Sequence, residues 1–154
     1  LVLWHRIDRP SQFTLGFATC EYLGRALLGM KIHLAVDAKI DPRKFEKDEL
    51  AKLGMPPEIA MRHRVTQFRH IFASDDYSAG YYSYLWSDVL KADAYTAFTE
   101  AGGPYDKKVA QRLRKYVFTV GNTIDPADGF RLFRGRDPKV EALMNERGFP
   151  VAKK

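Results

Sequence analysis

Between His70 and Trp86 the chain places four tyrosines and one histidine in seventeen positions, and this is the stretch whose residue types could do chemistry. A phenol is neutral at pH 7, rigid, and has a proton to share with a developing oxyanion. Tyr77, Tyr81 and Tyr84 stand at i, i+4 and i+7, so a helix would line their hydroxyls along one face. Tyr82, Trp86, Val89 and Leu90 would then fall on another face suited to packing. Two readings are open at this level: a presented face of donors beside a packing face, or four rings that all fill a core and find incidental hydrogen bonds.

Metal chemistry has less to stand on. The histidines are His5, His33, His63 and His70, and no two are four residues apart, the spacing by which one helix face offers two nitrogens to zinc. His33 with Asp37 at i,i+4 is the best local pair, and two ligands of mixed type make a satisfied helical histidine the stronger reading. The expectation is that this chain binds no metal.

The elements that must position these residues read as helical almost throughout. The stretch Phe13–Val36 carries apolar or small residues at Phe13, Phe17, Cys20, Gly24, Leu27, the Lys31 stem and Leu34, widened by Leu23 and Met30. Little polar face is left, so the reading is a helix buried on most sides, with Cys20 as a buried thiol. Gly16, Gly24 and Gly29 are expected where another backbone comes close, and Glu21 and Arg25 at i,i+4 can pair. Three Asp-Pro steps, Asp41-Pro42, Asp125-Pro126 and Asp137-Pro138, each offer a carboxylate cap and a proline in the first turn, so three helices are expected to start there. The first should run through Phe45, Leu50 and Leu53 to Gly54, with a short new helix at Met55-Pro56-Pro57 and another from about Val65 into His70. The longest is expected from about Tyr77 to Glu100, ended by Gly102-Gly103-Pro104. Asp106 should cap one carrying Val109, Leu113, Tyr116, Val117 and Val120 as far as Gly121, and short helices should follow near Phe130 and Leu143. With no useful strand-like alternation, the fold class is all-α.

Composition narrows the partners. The 154 residues carry 25 basic and 19 acidic side chains, distributed as 11 and 8 over residues 1–67, 2 and 5 over 68–103, and 12 and 6 over 104–154. The tyrosine-rich stretch thus lies in the acidic middle and not in the basic surplus, which argues against nucleic acid as the partner. No apolar run approaches the roughly 20 residues of a membrane span, and no signal-peptide pattern stands at the N-terminus. A single cysteine, Cys20, makes no internal disulfide, and the expected location is cytoplasmic.

The string from His70 through Tyr77-Ser78-Ala79-Gly80-Tyr81-Tyr82-Ser83-Tyr84-Leu85-Trp86-Ser87-Asp88-Val89-Leu90 to Asp93-Ala94 closely resembles the C-terminal catalytic region of the thimet-oligopeptidase family of zinc metallopeptidases, which includes oligopeptidase A and the peptidyl-dipeptidases. Gly16-Phe17-Ala18-Thr19 and Glu21-Tyr22-Leu23 upstream, and Phe133-Arg134-Gly135-Arg136-Asp137-Pro138 downstream, extend the resemblance, notably to the peptidyl-dipeptidase branch. It implies an almost wholly helical, zincin-like (neurolysin-like) two-lobed enzyme with a deep channel that cuts short peptides. By the same resemblance, zinc is held by His-Glu-x-x-His and a later glutamate, while a histidine and tyrosines of the C-terminal region meet the substrate. His70 matches the cleft histidine, Tyr77 and Tyr84 the substrate-facing tyrosines as catalytic groups, and Tyr81, with Gly80 beside it, the substrate-binding position between them.

Three departures accompany this resemblance. His-Glu-x-x-His is absent from the chain, so zinc is expected in the full-length enzyme and not bound here, and the chain alone is expected to be inactive. Residues 1–12 do not match, which leaves 13–150 as the C-terminal part of a longer catalytic domain and 151–154 as a tail. Where relatives often have a glycine-rich loop before the first tyrosine, Ala73-Ser74-Asp75-Asp76 has none, which implies a stiffer loop. The partners implied are short peptides, together with the upstream catalytic portion or a second copy covering exposed apolar surface; the alternative function is a stand-alone helical peptide-binding module.

Overall fold

The computed structural model describes residues 13–35, 39–149 and 151. Residues 1–12, 36–38, 150 and 152–154, on which some of the expectations above fall, lie outside them. The described residues form helices and turns, with no strand among them, as the sequence pattern predicts. Two compact units divide the chain after Tyr84.

In the first unit, α1 (Leu15–Leu34) buries Gly24, Arg25, Ala26, Leu28 and Gly29. Most of the expected stripe is open, Gly24 excepted: Phe13 is 90% exposed and Leu34 77%, with Phe17, Leu27 and Cys20 exposed as well. The expected burial of α1 on most sides, and of the Cys20 thiol, is therefore wrong for this structure. A helix apolar all round does not state which side its neighbours cover. The close backbone approach expected at the three glycines does not occur: a Cβ at Gly24 would stand 2.8 Å from Met55 Cε and one at Gly29 3.5 Å from Ile71 Cδ1, both side-chain atoms, and Gly16 has nothing within 4 Å. The Glu21–Arg25 pair forms at 3.6 Å.

Asp41 starts α2 (Pro42–Lys52) by accepting from the Arg43 and Lys44 N–H groups at 2.9 and 3.0 Å, with Pro42 in the first turn. Gly54, at φ +71°, ends it in the left-handed conformation that suits glycine after a helix. No helix follows at Met55-Pro56-Pro57. The core gathers Leu28, Met61, Val65, Phe68 and Ile71, with Ile32, Phe45, Leu50 and Tyr81 packed on it. Glu46, buried on α2, holds Arg64 Nη1 at 2.5 Å and the Val65 N–H at 3.0 Å, so a buried carboxylate ties down the loop that leads toward His70.

That loop is not the expected helix from Val65 to His70. It is a series of single 3₁₀ turns, Val65–Gln67, Arg69–Ile71 and Asp75–Tyr77, interrupted at Phe68 by a ψ of 59° that no helix continues. The long helix is shorter than expected too: α3 runs Ser83–Glu100 and leaves Tyr77 and Tyr81 outside. Between them Ala79 takes φ +53°, and the Gly80 N–H bonds the Tyr77 carbonyl at 2.9 Å, so the chain turns where the spacing suggested a continuous helix.

The second unit holds most of α3, then α4 (Lys107–Leu113), α5 (Pro126–Arg134) and α6 (Glu141–Glu146). Asp106 caps α4 through the Val109 N–H at 2.8 Å, and α4 widens into one π turn over Arg114–Phe118. Asp125 caps α5 through the Ala127 N–H at 2.8 Å, and Gly135 closes it at φ +75°. The core gathers Ala97, Val109 and Phe133, with Ala94, Phe98, Leu113 and Tyr116 against it.

Asp137 does not start a helix. Its carboxylate accepts from Arg131 Nε at 2.7 Å, and the Lys139 N–H, which a cap at Asp137 would take, goes instead to Asp93 Oδ2 at 2.7 Å. Asp93 is fully buried and also binds Arg136 through both oxygens at 2.6 and 2.7 Å and Arg134 Nε at 3.1 Å. Burial works against its charge, yet the Arg136 and Lys139 hydrogen bonds and the two guanidiniums outweigh it and hold the carboxyl at about 2.

Candidate functional site

His70, Tyr77, Tyr81 and Tyr84 come together in the first unit, each on a different local element. His70 sits in the turn Arg69–Ile71, Tyr77 ends the turn Asp75–Tyr77, Tyr81 follows the Ala79 reversal, and Tyr84 stands in the first turn of α3. The Tyr84 hydroxyl lies 3.0 Å from His70 Nε2. The Tyr77 and Tyr84 rings stack with centroids 5.5 Å apart and planes 7° from parallel, and the His70 and Tyr77 rings are 4.5 Å apart. Gly80 has its Cβ position 3.5 Å from Tyr77 Cα, an ordinary contact, and its N–H serves the turn.

Tyr81 is the hub of the cluster. Its ring meets Phe68 at 5.0 Å, Tyr84 at 5.3 Å, Tyr22 at 5.4 Å and His70 at 5.5 Å, so it joins the presented rings to the hydrophobic core. The Tyr22 hydroxyl donates to the Tyr81 carbonyl, and the Arg25 guanidinium lies 5.7 Å from the Tyr81 ring. Tyr22 and Arg25 are contributors that the spacing argument misses. Tyr22 falls within a string that carries the family resemblance, and the spacing of Arg25 points only to Glu21, so neither signals a reach to the tyrosines. The expected packing face is covered only in part: Tyr82 is 50% and Trp86 60% exposed, while Val89 and Leu90 are half-buried.

A hydrogen bond with the Tyr77 phenol, then burial and the other nearby phenols, pushes Tyr84 up to about 12. With one proton to give and two neighbours in reach, Tyr84 is held as a neutral donor at physiological pH. The side chain is still 39% exposed, so an incoming carbonyl oxygen can compete for that proton. The arrangement is chemically that of a donor pair, with His70 orienting one phenol and a second phenol stacked beside it.

The chain matches the model of peptidase family M3 over residues 6–149. The chain belongs to that family. It is 34% identical to the dipeptidyl carboxypeptidase of Salmonella typhimurium over 149 residues, 95% of this chain and 22% of that protein. It is 43% identical to oligopeptidase A of Haemophilus influenzae over 145 residues, 91% of this chain and 21% of that protein. Oligopeptidase A of Salmonella typhimurium is 44% identical over 112 residues, 72% of this chain and 16% of that protein. The chain therefore spans about a fifth of the length of these relatives. The resemblance carried by the tyrosine string is thus one to peptidase family M3, with both of its named branches among the relatives.

Peptidase family M3 is a family of zinc metallopeptidases, and the described residues do not make a zinc site. Among the described residues no group of three or more histidine, cysteine or carboxylate side chains could hold a metal ion. His33 Nδ1 lies 2.7 Å from the Gly29 carbonyl and its ring stacks on Phe72, while His70 Nε2 lies against Tyr84. Asp37, the expected partner of His33, lies outside the described residues. Among the described residues, no helix is long and apolar enough to cross a membrane.

Proposed function

We propose that this chain supplies the substrate-facing part of a peptidase active site that hydrolyses short peptides, working with polypeptide that carries the zinc motif. In this reading Tyr84 and Tyr77 are the catalytic donors that meet the scissile carbonyl oxygen as it becomes an oxyanion. His70 is the catalytic group that shares the Tyr84 hydrogen bond and sets its direction. Tyr81 and Gly80 form the substrate-binding wall beside them. The observation that carries the proposal is the 3.0 Å contact between His70 Nε2 and the Tyr84 hydroxyl, in a phenol held protonated to about 12. Oxyanion donors act by being in place before charge develops, and in this pair the Tyr84 hydroxyl is set by its contact with His70.

The relatives support the peptide chemistry by name, as a dipeptidyl carboxypeptidase and oligopeptidases. Residues 13–150 act here as one C-terminal part of the catalytic domain, and we place it in the cytoplasm, in keeping with its single cysteine and with the name of a probable cytosolic oligopeptidase A from Arabidopsis thaliana, 44% identical over 145 residues. The open apolar face of α1 is where the complementary catalytic portion, or a second copy, would pack.

The test is reconstitution. The chain is mixed or co-expressed with the part of an oligopeptidase A that bears His-Glu-x-x-His, and cleavage of a quenched fluorescent peptide is followed. Activity that needs both parts supports the proposal; a stable complex that binds zinc and peptide but never cleaves would sink it.

A further inference from the structure

The proposed site stands on a buried arginine that the peptide chemistry itself does not use. Arg25 is 6% exposed, on α1. Its guanidinium carbon lies 5.7 Å from the Tyr81 ring centroid and 5.9 Å from that of Tyr22, and these two rings stack at 5.4 Å. Its ion pair with Glu21 is long, at 3.6 Å, and its buried Nε finds no hydrogen-bond acceptor among the described residues. A buried cation left so poorly served by oxygen is compensated by the faces of the two rings, an attraction that strengthens as water is excluded.

We propose that Arg25, with the Tyr22 hydroxyl bonded to the Tyr81 carbonyl, is a positioning residue that clamps Tyr81 and through it fixes how Tyr84 and His70 are presented. This rests on the reading of those tyrosines as the substrate-facing site. The mechanical path is short. Tyr81 neighbours Arg25 and Tyr22 as well as Tyr84 and His70, so a ring free to tilt at Tyr81 removes the wall against which Tyr84 is set. Arginine suits the task where lysine does not, because a planar guanidinium can lie against aromatic faces over its whole area while an ammonium is a point charge. The backbone is held as well as the ring, since the Tyr22 hydroxyl fixes the carbonyl of the same residue.

The experiment compares Arg25→Met, Arg25→Lys and Tyr22→Phe in the full chain, with the ring resonances of Tyr77, Tyr81, Tyr84 and His70 read by NMR and folding read by circular dichroism. Stacked rings shift each other's signals, so a clamp that loosens moves the Tyr84 and His70 resonances toward their free-peptide positions while helix content is kept. Arg25→Met and Tyr22→Phe should each do so, and Arg25→Lys should fall between Arg25→Met and the parent. A role in stability alone would lower the melting temperature and leave the resonances of the folded chain in place, and that result overturns the proposal. If Arg25→Met fails to fold, Arg25→Lys and Tyr22→Phe decide by the same signals. In the reconstituted peptidase the folded variants should lose roughly tenfold in kcat/KM, as expected when the placement of the site is lost. Should the parent chain show no cleavage there, the peptidase reading fails while the ring signals still decide the clamp.

Discussion

The Tyr84 hydroxyl and His70 Nε2 stand 3.0 Å apart although fourteen positions separate them in the chain. The contact joins the first turn of α3 to a 3₁₀ turn of the preceding loop, so it exists only when both are in place. On the proposed reading, Tyr84→Phe in a reconstituted enzyme removes the proton offered to the oxyanion and leaves the ring stack. The expected loss is about a hundred- to a thousandfold in kcat, with KM changed much less. Steady-state kinetics on one peptide measures both, and a kcat within threefold of the parent would contradict the role.

Alkaline titration reads the same phenol without any partner. Tyr84 is raised to about 12, chiefly by its hydrogen bond with Tyr77, so this phenol should ionise well above the ordinary tyrosine value of about 10. The raised value means that the folded state favours the protonated phenol: the associated stability is fully present below about 10 and is lost as pH rises through about 12. Absorbance at about 295 nm should show this late step, and Tyr77→Phe should move it earlier.

Acid should act on the second unit through Asp93. Its folded value of about 2 lies below the unfolded carboxylate near 4, so its stabilisation is present above about 4 and is lost as pH falls through about 2. The amount is on the order of 2 kcal/mol, read as a fall in unfolding free energy by denaturant titration at stepped pH. Asp93→Ala leaves Arg134 and Arg136 without their buried counter-charge and should cost about 3–5 kcal/mol.

Two glycines with equally close neighbours should behave differently. A Cβ at Gly129 would stand 2.8 Å from the Tyr116 carbonyl oxygen, which belongs to backbone and does not move aside. Gly129→Ala should cost about 1–3 kcal/mol by overpacking. At Gly24 the same 2.8 Å separates the Cβ from the flexible tip of Met55. There the gain in helix propensity, up to about 1 kcal/mol, offsets a small shift, and Gly24→Ala should be near neutral in thermal melts.

The Asp-Pro steps separate in the same way. Asp125 caps α5, so Asp125→Ala should cost about 1 kcal/mol. Asp137 makes only a surface pair with Arg131, for which Asp137→Ala should cost less than about 1 kcal/mol. Melting temperatures of the two variants in parallel give the order.

Much of the helical pattern was legible because its signals are local. Asp41 and Asp125 cap the helices that begin at the prolines beside them and Gly54 ends α2, each through a bond to a residue two or three positions away. Asp137 offers the same local signal and fails, since the N–H it would take is claimed by Asp93, which no nearby residue announces. The tyrosine grouping was legible too, but for a reason that the structure replaces: the rings meet across the Ala79 turn, and the i, i+4, i+7 spacing reflects no helix. Arg25 was legible only toward Glu21, because its contact with Tyr81 depends on the tertiary path of the loop. On α1 the apolar pattern gave a helix correctly and its covered side wrongly, for periodicity measures where apolar residues recur and not what lies against them.

The turn at Ala79 bears on time as well as on place. Had Tyr77, Tyr81 and Tyr84 shared one helix, their spacing would have survived any local opening short of unwinding it. Set across a reversal that a non-glycine residue holds at φ +53°, they keep their mutual geometry only while the Tyr22 and His70 contacts hold the loop closed. The ring stack is therefore a built-in optical gauge: its near-ultraviolet circular dichroism should fade on warming before the helical signal does, and the interval between the two transitions measures how long the chain remains folded after its site has come apart.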